Sequence, residues 1–478
     1  MRWIYILTYI LLQHTMLSAQ EPVPLVPMLQ SSYKRIYNPK GDIFKGPGDL
    51  ATAGKFYKDW APNDHTFIKN KATGKWHLFG ITRPAGPGIN SGKAVHADEY
   101  QSLHAVSPAN TFLASYQKNS WVDLPKVLTP DSRPGQIRYL WAPHVVFKKG
   151  LYYMFYGPGN IYYATSYNLN NWTSKGASFL DSLATRDPYV QFFDGQYHLY
   201  YCKGEGISHR TSPDLLHWSA PTELLKLEQK GSMESPFVVY RSGYYYLFWT
   251  IYDGSNTAFD WRTTVVRSKT PTGFAKGETL GIILTHAPEI IVAENQQEYI
   301  SSVAWPFKGI SVAKLGWTKG PVFPVTYHTV PGEIEAVNYD NGGNGFAYQT
   351  KNIATKKLFR PSDNINIIKL PDSAYCITGL QQNDWLQYTV HIQKTGKYSL
   401  GINLGLKNTV GRLHVQLKNK ALTNSILIPA QTTSIKKGGI WLTAGTHQLR
   451  IIIDEASPGG INIKSFKFIN INYVKRHH

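Results

Sequence analysis

A chain of 478 residues is too long for one ordinary domain, so two or more globular units are expected. Aromatic residues make up 13% of it, with 13 Trp and 31 Tyr, and no leucine heptads stand out, which favours β structure. The formal charge of +19 comes from scattered basic residues with no long run before Lys475–His478. It fits an acidic polymer drawn in by long-range attraction, or plain solubility, whereas no nucleic-acid-binding motif accompanies it.

Residues 1–20, MRWIYILTYILLQHTMLSAQ, combine one basic residue, a short apolar stretch and small residues at Ser18-Ala19, the pattern of a signal peptide. No later stretch reaches membrane length. A secreted or periplasmic, soluble monomer without a membrane span is therefore expected. The two cysteines, Cys202 and Cys376, fall in different units, so stability is expected from core burial rather than a disulfide. Residues 21–50 are rich in Pro, Gly, Ser and Lys without periodicity and read as a strap or linker.

From residue 51 to 319 one phrase recurs five times: a polar or Pro-containing entrance, a short apolar strand, a turn and an aromatic strand. The copies are WAPNDHTFIKNKATGKWHLFGI from Trp60, WAPHVVFKKGLYYMFYG from Trp141, TRDPYVQFFDGQYHLYYC from Thr185, SMESPFVVYRSGYYYLFWT from Ser232 and HAPEIIVAENQQEYISSVAW from His286. ATSYNLNNW from Ala164 and RTSPDLLHW from Arg210 mark a second recurring phrase. Repeats spaced by roughly 45 residues, with about four short strands each, are the signature of propeller blades. The fold class is therefore all-β, a five-bladed propeller, in which inner strands converge on one axis and blade entrances on one mouth.

Three entrances carry acids. Asp64 stands before His65 and Asp187 before Pro188, taken as equivalent positions, while Glu234 stands two before Pro236. Such acids would meet at the channel mouth, where a proton donor and a second carboxylate suit cleavage of a glycosidic bond. A third acid would tune the donor's pKa, and Arg186 would keep Asp187 ionised or bind a hydroxyl. Any one of these acids alone reads as a turn or cap residue. His144 at the second entrance would line the pocket. Trp60, Trp141, Trp249 and Trp305 either pack between blades or stack on sugars, Trp141 being counted among the binding candidates. The Gly-rich insertion from Arg83 to Tyr100 would wall the site.

Asn-Asp at 63–64, Arg-Asp-Pro at 186–188 and Glu-Ser-Pro at 234–236, each leading a repeat, resemble the five-bladed glycoside hydrolases of families 43, 32 and 117. The resemblance covers roughly residues 55–320. It implies that Asp64 is the general base of an inverting, family 43-like enzyme or the nucleophile of a retaining, family 32-like one. Asp187 would be the modulator and Glu234 the general acid. Trp141-Ala142-Pro143 and His286 look like family 43, while Arg186-Asp187-Pro188 looks like family 32. Inversion is preferred, which predicts carboxyl groups about 6.5–9.5 Å apart rather than about 5–5.5 Å. By the same likeness His286 would help hold a metal ion or water in the channel. The expected partner is a plant or algal polysaccharide or its oligosaccharides, an anionic one included, with no cofactor required. A non-catalytic glycan-binding propeller is the alternative from another class.

GPVFPVTYHTVPG, residues 320–332, reads as a linker. Residues 333–472 then carry short alternating strands such as WLQYTVHI from Trp385 and HQLRIII from His447, the mark of a β-sandwich. Glu333 to Tyr339, Asn383 to Val390, Ala444 to Arg450 and the closing Gly460-Ile461-Asn462-Ile463 resemble a family 6 carbohydrate-binding module. The likeness implies sugar stacking on Tyr348, a hydrogen bond from Asn462, and a structural calcium held by Glu333 and Glu335. It departs at Lys464-Ser465, where the family has an acid. Trp385 reads as core.

Overall fold

The computed structural model describes residues 23–40, 60–84, 99–118, 120–181, 184–227, 231–252, 261–305, 307–355, 359–407 and 410–471. The expected signal peptide and most of the Arg83–Tyr100 insertion lie outside them, as does the side chain of Trp60. Among the described residues the protein is nearly all β, with one short α-helix at Phe112–Lys118.

Five antiparallel sheets follow one another as blades of a propeller. Their inner strands are Trp60–Lys69, Trp141–Lys148, Thr185–Phe193, Ser232–Arg241 and Ile290–Val292, and the first four pack successively on one another. The fifth sheet closes the ring. It meets the fourth through Arg241–Glu298 (2.7 Å) and the first through Lys69–Glu294 (2.8 Å). The residues read as a strap supply its fourth strand: Leu25–Leu29 pairs antiparallel with Ile310–Lys319, Leu25 opposite Lys319, and Lys34–Tyr37 pairs with the same strand.

Local chemistry explains the repeats. Lys149-Gly150, Asp194-Gly195 and Ser242-Gly243 each place both turn residues at positive φ, the two-residue turn whose twist matches a hairpin. In the second recurring phrase, Ser166 Oγ accepts from Asn168 N and Leu169 N, and Ser212 Oγ accepts from Asp214 N and Leu215 N. Asn168 and Asp214 then cap the next two amides, so both copies build the same turn. The closing Trp172 and Trp218 meet Phe79 and Phe155 of the preceding blades edge to face, which seals adjacent sheets.

Buried histidines make the propeller acid-sensitive. Burial pushes His104 down to about 3 and His77 to about 4; their rings stack and share a hydrogen bond of 2.8 Å between His104 Nε2 and His77 Nδ1. An unfolded histidine titrates near 6.5. Below that pH the unfolded chain binds protons that the folded one refuses, so each such group costs about 1.4 kcal/mol per pH unit until its folded value is reached. His104→Gln, which leaves His77 a partner, is expected to flatten the loss of stability between pH 6.5 and 4 relative to the parent. Denaturant melts across that range check it, and parallel curves would count against neutral burial.

The C-terminal unit is a sandwich of a seven-stranded and a four-stranded sheet with a smaller three-stranded one. Alternate residues of Trp385–Ile392, namely Leu386, Tyr388, Val390 and Ile392, fill its core with Tyr398, Leu400, Ile451 and Phe466. The sandwich starts within the expected linker, because His328–Val330 pairs in parallel with Val390–Ile392. Ile282 of the fourth blade joins this core, and Asn341 makes reciprocal bonds to Ile282 (Nδ2 to O 2.8 Å, N to Oδ1 3.0 Å). A Cβ on Gly281 would lie 2.2 Å from the Asn341 Oδ1. Cys202 and Cys376 are buried and unpaired.

Candidate active site

Each blade entrance is a β-bulge with two residues opposite one. Asn63-Asp64 face Ile81, Ala142-Pro143 face Tyr156, Asp187-Pro188 face Tyr201 and Ser235-Pro236 face Trp249, as the shifts in pairing show. In the fifth blade Val303 N bonds His286 O and Ser301 N bonds Glu289 O, which leaves Ala287-Pro288 opposite Ser302. The first bulge residue has positive φ in four blades: Ala142 (44°), Asp187 (55°), Ser235 (49°) and Ala287 (48°).

This register corrects the equivalence read from sequence. Asp64 occupies the second bulge position, where the other blades carry proline. Asp187 occupies the first, and Glu234 the residue before the bulge, where Pro62, Trp141, Arg186 and His286 stand elsewhere. The acids thus take three successive steps of one motif on three blades.

The bulges bring them together. A small central cavity is lined by Asp64, Asp187, Ser235 and the prolines of the bulges, together with His65, His144, Tyr189 and Glu289. Ser235 Oγ donates to Asp64 Oδ1, and Ser235 N donates to Asp187 Oδ2 at 3.1 Å. Arg186 Nη1 contacts Asp187 Oδ2 directly and lies 3.3 Å from Glu234 Oε1. Its Nη2 donates to Ser232 Oγ (3.2 Å) and Met233 O (3.0 Å), so the guanidinium is bound into the acid cluster on both sides.

Burial sets the electrostatics. It lifts Asp64 above the ordinary carboxylate value against the Ser235 hydrogen bond and the Arg186 charge, with the nearby Glu99 carboxylate adding to the rise. Asp187 is lifted likewise, against Arg186. Burial alone would lower Arg186, yet the carboxylates of Asp187 and Glu234 hold it above its ordinary value. The Cys202 thiol, beside Arg186 in the sheet, is raised by burial and the Asp187 charge, and donates to Met233 O at 3.0 Å.

The other expected residues fall into place or do not. His144 is buried in the channel, with Nδ1 2.8 Å from Glu289 Oε1 and Nε2 3.0 Å from Val190 O. Trp141 is half-buried against Tyr139, which in turn meets Tyr100, and the three form an aromatic wall. His286 is buried with Nε2 3.1 Å from Asn63 Oδ1 and its ring stacked on Trp261. It therefore braces the residue next to Asp64, and among the described residues no group of three His, Cys, Asp or Glu gathers around a metal position.

In the sandwich, Tyr348 does not offer a sugar platform: it is 3% exposed, packs edge to face on Tyr339, and its Oη accepts from Asn364 N. The exposed aromatic of that loop is Phe346, at 56%. Asn462 is also buried and its Oδ1 accepts from Gly379 N. Glu333 accepts from Ser465 Oγ (2.7 Å) and Glu335 from Asn338 Nδ2 (3.3 Å), with the Lys464 charge acting on Glu335. Among the described residues no third acid, His or Cys joins these two carboxylates. Trp385 is half-buried, with the Arg450 guanidinium 4.1 Å from its ring centre.

Ser235, Glu99 and Glu289 were not singled out from sequence. Ser235 and Glu289 lie inside quoted entrances, and only the bulge register reveals that they face the acids and the channel.

Residues 108–302 match the profile described as "Glycosyl hydrolases family 43". No curated protein matches the sequence. Among solved structures, the family 43 arabinoxylan arabinofuranohydrolase from Bacillus subtilis aligns at 14% identity over 86% of this chain and 96% of its own, with a TM-score of 0.40. The exo-beta-1,3-galactanase from Phanerochaete chrysosporium aligns at 12% identity over 87% and 97%, TM-score 0.39. The beta-xylosidase RS223 gives 16% over 54% and 93%, TM-score 0.40. Among the described residues no helix is long and apolar enough to cross a membrane. The profile match spans Asp187 and Glu234 at two of the clustered bulges: the chain is a glycoside hydrolase.

Proposed function

We propose that the protein is an exported, inverting hydrolase of a plant or algal polysaccharide in which Glu234 protonates the leaving oxygen, Asp64 activates water, and Asp187 tunes the acid. The observation that carries this reading is the Ser235–Arg186 linkage, which ties acids from three blades into one cluster at the channel mouth. Hydrolysis with inversion needs an acid and a base on opposite faces of the sugar, and two blades of a ring supply opposed walls. Arg186 contacts Asp187 directly and lies 3.3 Å from Glu234, so it links the proposed modulator to the proposed acid.

Trp141 with Tyr139 and Tyr100, and Trp305, 47% exposed and edge-on to Trp261, are the aromatic faces assigned to sugar rings in this reading. Arabinans, xylans and galactans are the substrates to test first, by the resemblance to family 43. Proton NMR of the first-formed product tests the stereochemistry: inversion is expected, and retention would instead assign Asp64 as nucleophile. In the same assay Asp64→Asn is expected to lose turnover by about 10²–10⁴-fold whatever the leaving group, since it removes the water-activating group. Undiminished turnover in this variant would remove Asp64 from the mechanism.

A further inference from the structure

We propose that Ser235 is a positioning residue of this site, its hydroxyl holding the Asp64 carboxylate in the orientation that activates water. The proposal rests on the assignment of Asp64 as base. It starts from the bulge position that Ser235 shares with Asn63, Ala142, Asp187 and Ala287 in the other blades. Positive φ is disfavoured for side-chain-bearing residues, so a serine there needs a reason. The backbone does not supply one, because alanine takes the same conformation at Ala142 (44°) and Ala287 (48°) as serine does at 49°.

Serine at a turn ordinarily bonds its own neighbouring backbone. Here the hydroxyl reaches a carboxylate 171 residues away in sequence, on another blade. Asp64 Oδ1 is thereby engaged as an acceptor, which restrains the orientation of the carboxylate. The Ser235 amide holds Asp187 independently, at 3.1 Å. Ser235 is also the covalent neighbour of Glu234, so a single residue sets the spacing between base, modulator and acid. The charged groups acting on Asp64 are Arg186, Asp187 and Glu99. Among its described side-chain partners, the Ser235 hydroxyl is the one that can be deleted without adding or removing a charge.

The test compares Ser235→Ala and Ser235→Gly with the parent. Both variants keep the amide to Asp187 and both tolerate the bulge conformation. Each is expected to lose about 10- to 100-fold in kcat with KM nearly unchanged, as for a displaced catalytic group. In each, the acid limb of the kcat/KM profile moves to higher pH, because the ionised form of Asp64 has lost a donor. A merely structural role would not move that limb. Parent-like kcat with an unmoved acid limb in both variants would overturn the proposal, as would a loss confined to glycine, which would trace to the backbone. Asp64→Asn serves as control: if it stays active, the base assignment falls first, and if it is dead while both serine variants are normal, only the role of Ser235 falls.

Discussion

Replacing Glu234 with glutamine is expected to lower kcat on a natural glycan by about 10²–10⁴-fold, the usual worth of a positioned proton donor. The substitution keeps an amide oxygen for the Arg186 contact and the strand pairing of Glu234 with Thr250, so the fold should be unaltered. The loss is expected to shrink on an aryl glycoside, whose phenolate leaves without protonation. That dependence on the leaving group separates Glu234 from Asp64, which acts on the water. A variant equally impaired on both substrates would point to a binding role, and an unimpaired one would remove Glu234 from the chemistry.

The second large effect is expected at Arg186. Its guanidinium, with 19% side-chain exposure, faces two carboxylates, and Arg186→Met leaves Asp187 and Glu234 beside Asp64 with no cation between them. Deleting one partner of a buried ion pair costs about 3–5 kcal/mol, and the residual exposure favours the lower end. Without the cation Asp187 would be raised further than burial already raises it. A carboxyl raised in the folded state penalises folding above its folded pKa, and the penalty fades as pH falls through that value. Urea melts should therefore show the variant far below the parent at pH 7 and closer to it at pH 5. A constant deficit at both pH values would mean that Arg186 acts through packing alone.

Much of this architecture is legible in the sequence because hairpins repeat their chemistry. Gly after Lys149, Asp194 or Ser242 announces the same turn each time, and the aromatic second strands follow it. The acids were found for the same reason, but their register was not. Pro188 and His65 look alike as strand openers, whereas the bulge sets Asp64, not His65, against Pro188, and spacing along the chain cannot tell which residue of a two-for-one step is the extra one. Ser235 hid for a related reason, since serine before proline reads as an ordinary turn residue. In the sandwich, strand pairing decides that Phe346 is exposed and Tyr348 is not. The strand contact with Leu386 begins at Tyr348 and draws that ring inward, which two aromatics spaced by one alanine do not disclose.

The pairing of Leu25 with Lys319 has a consequence for how the enzyme comes into being. The first described strand waits for the last strand of the ring, so no blade arrangement is final until nearly the entire repeat region is available to meet it. Folding that depends on such distant partners is slow and leaves an open sheet edge until the end. The cluster at the mouth is drawn from the first, third and fourth blades, and each must hold its place to within a hydrogen bond. The site is therefore assembled by closure of the ring, and a chain caught before that clasp would hold every acid of the mechanism without the mechanism.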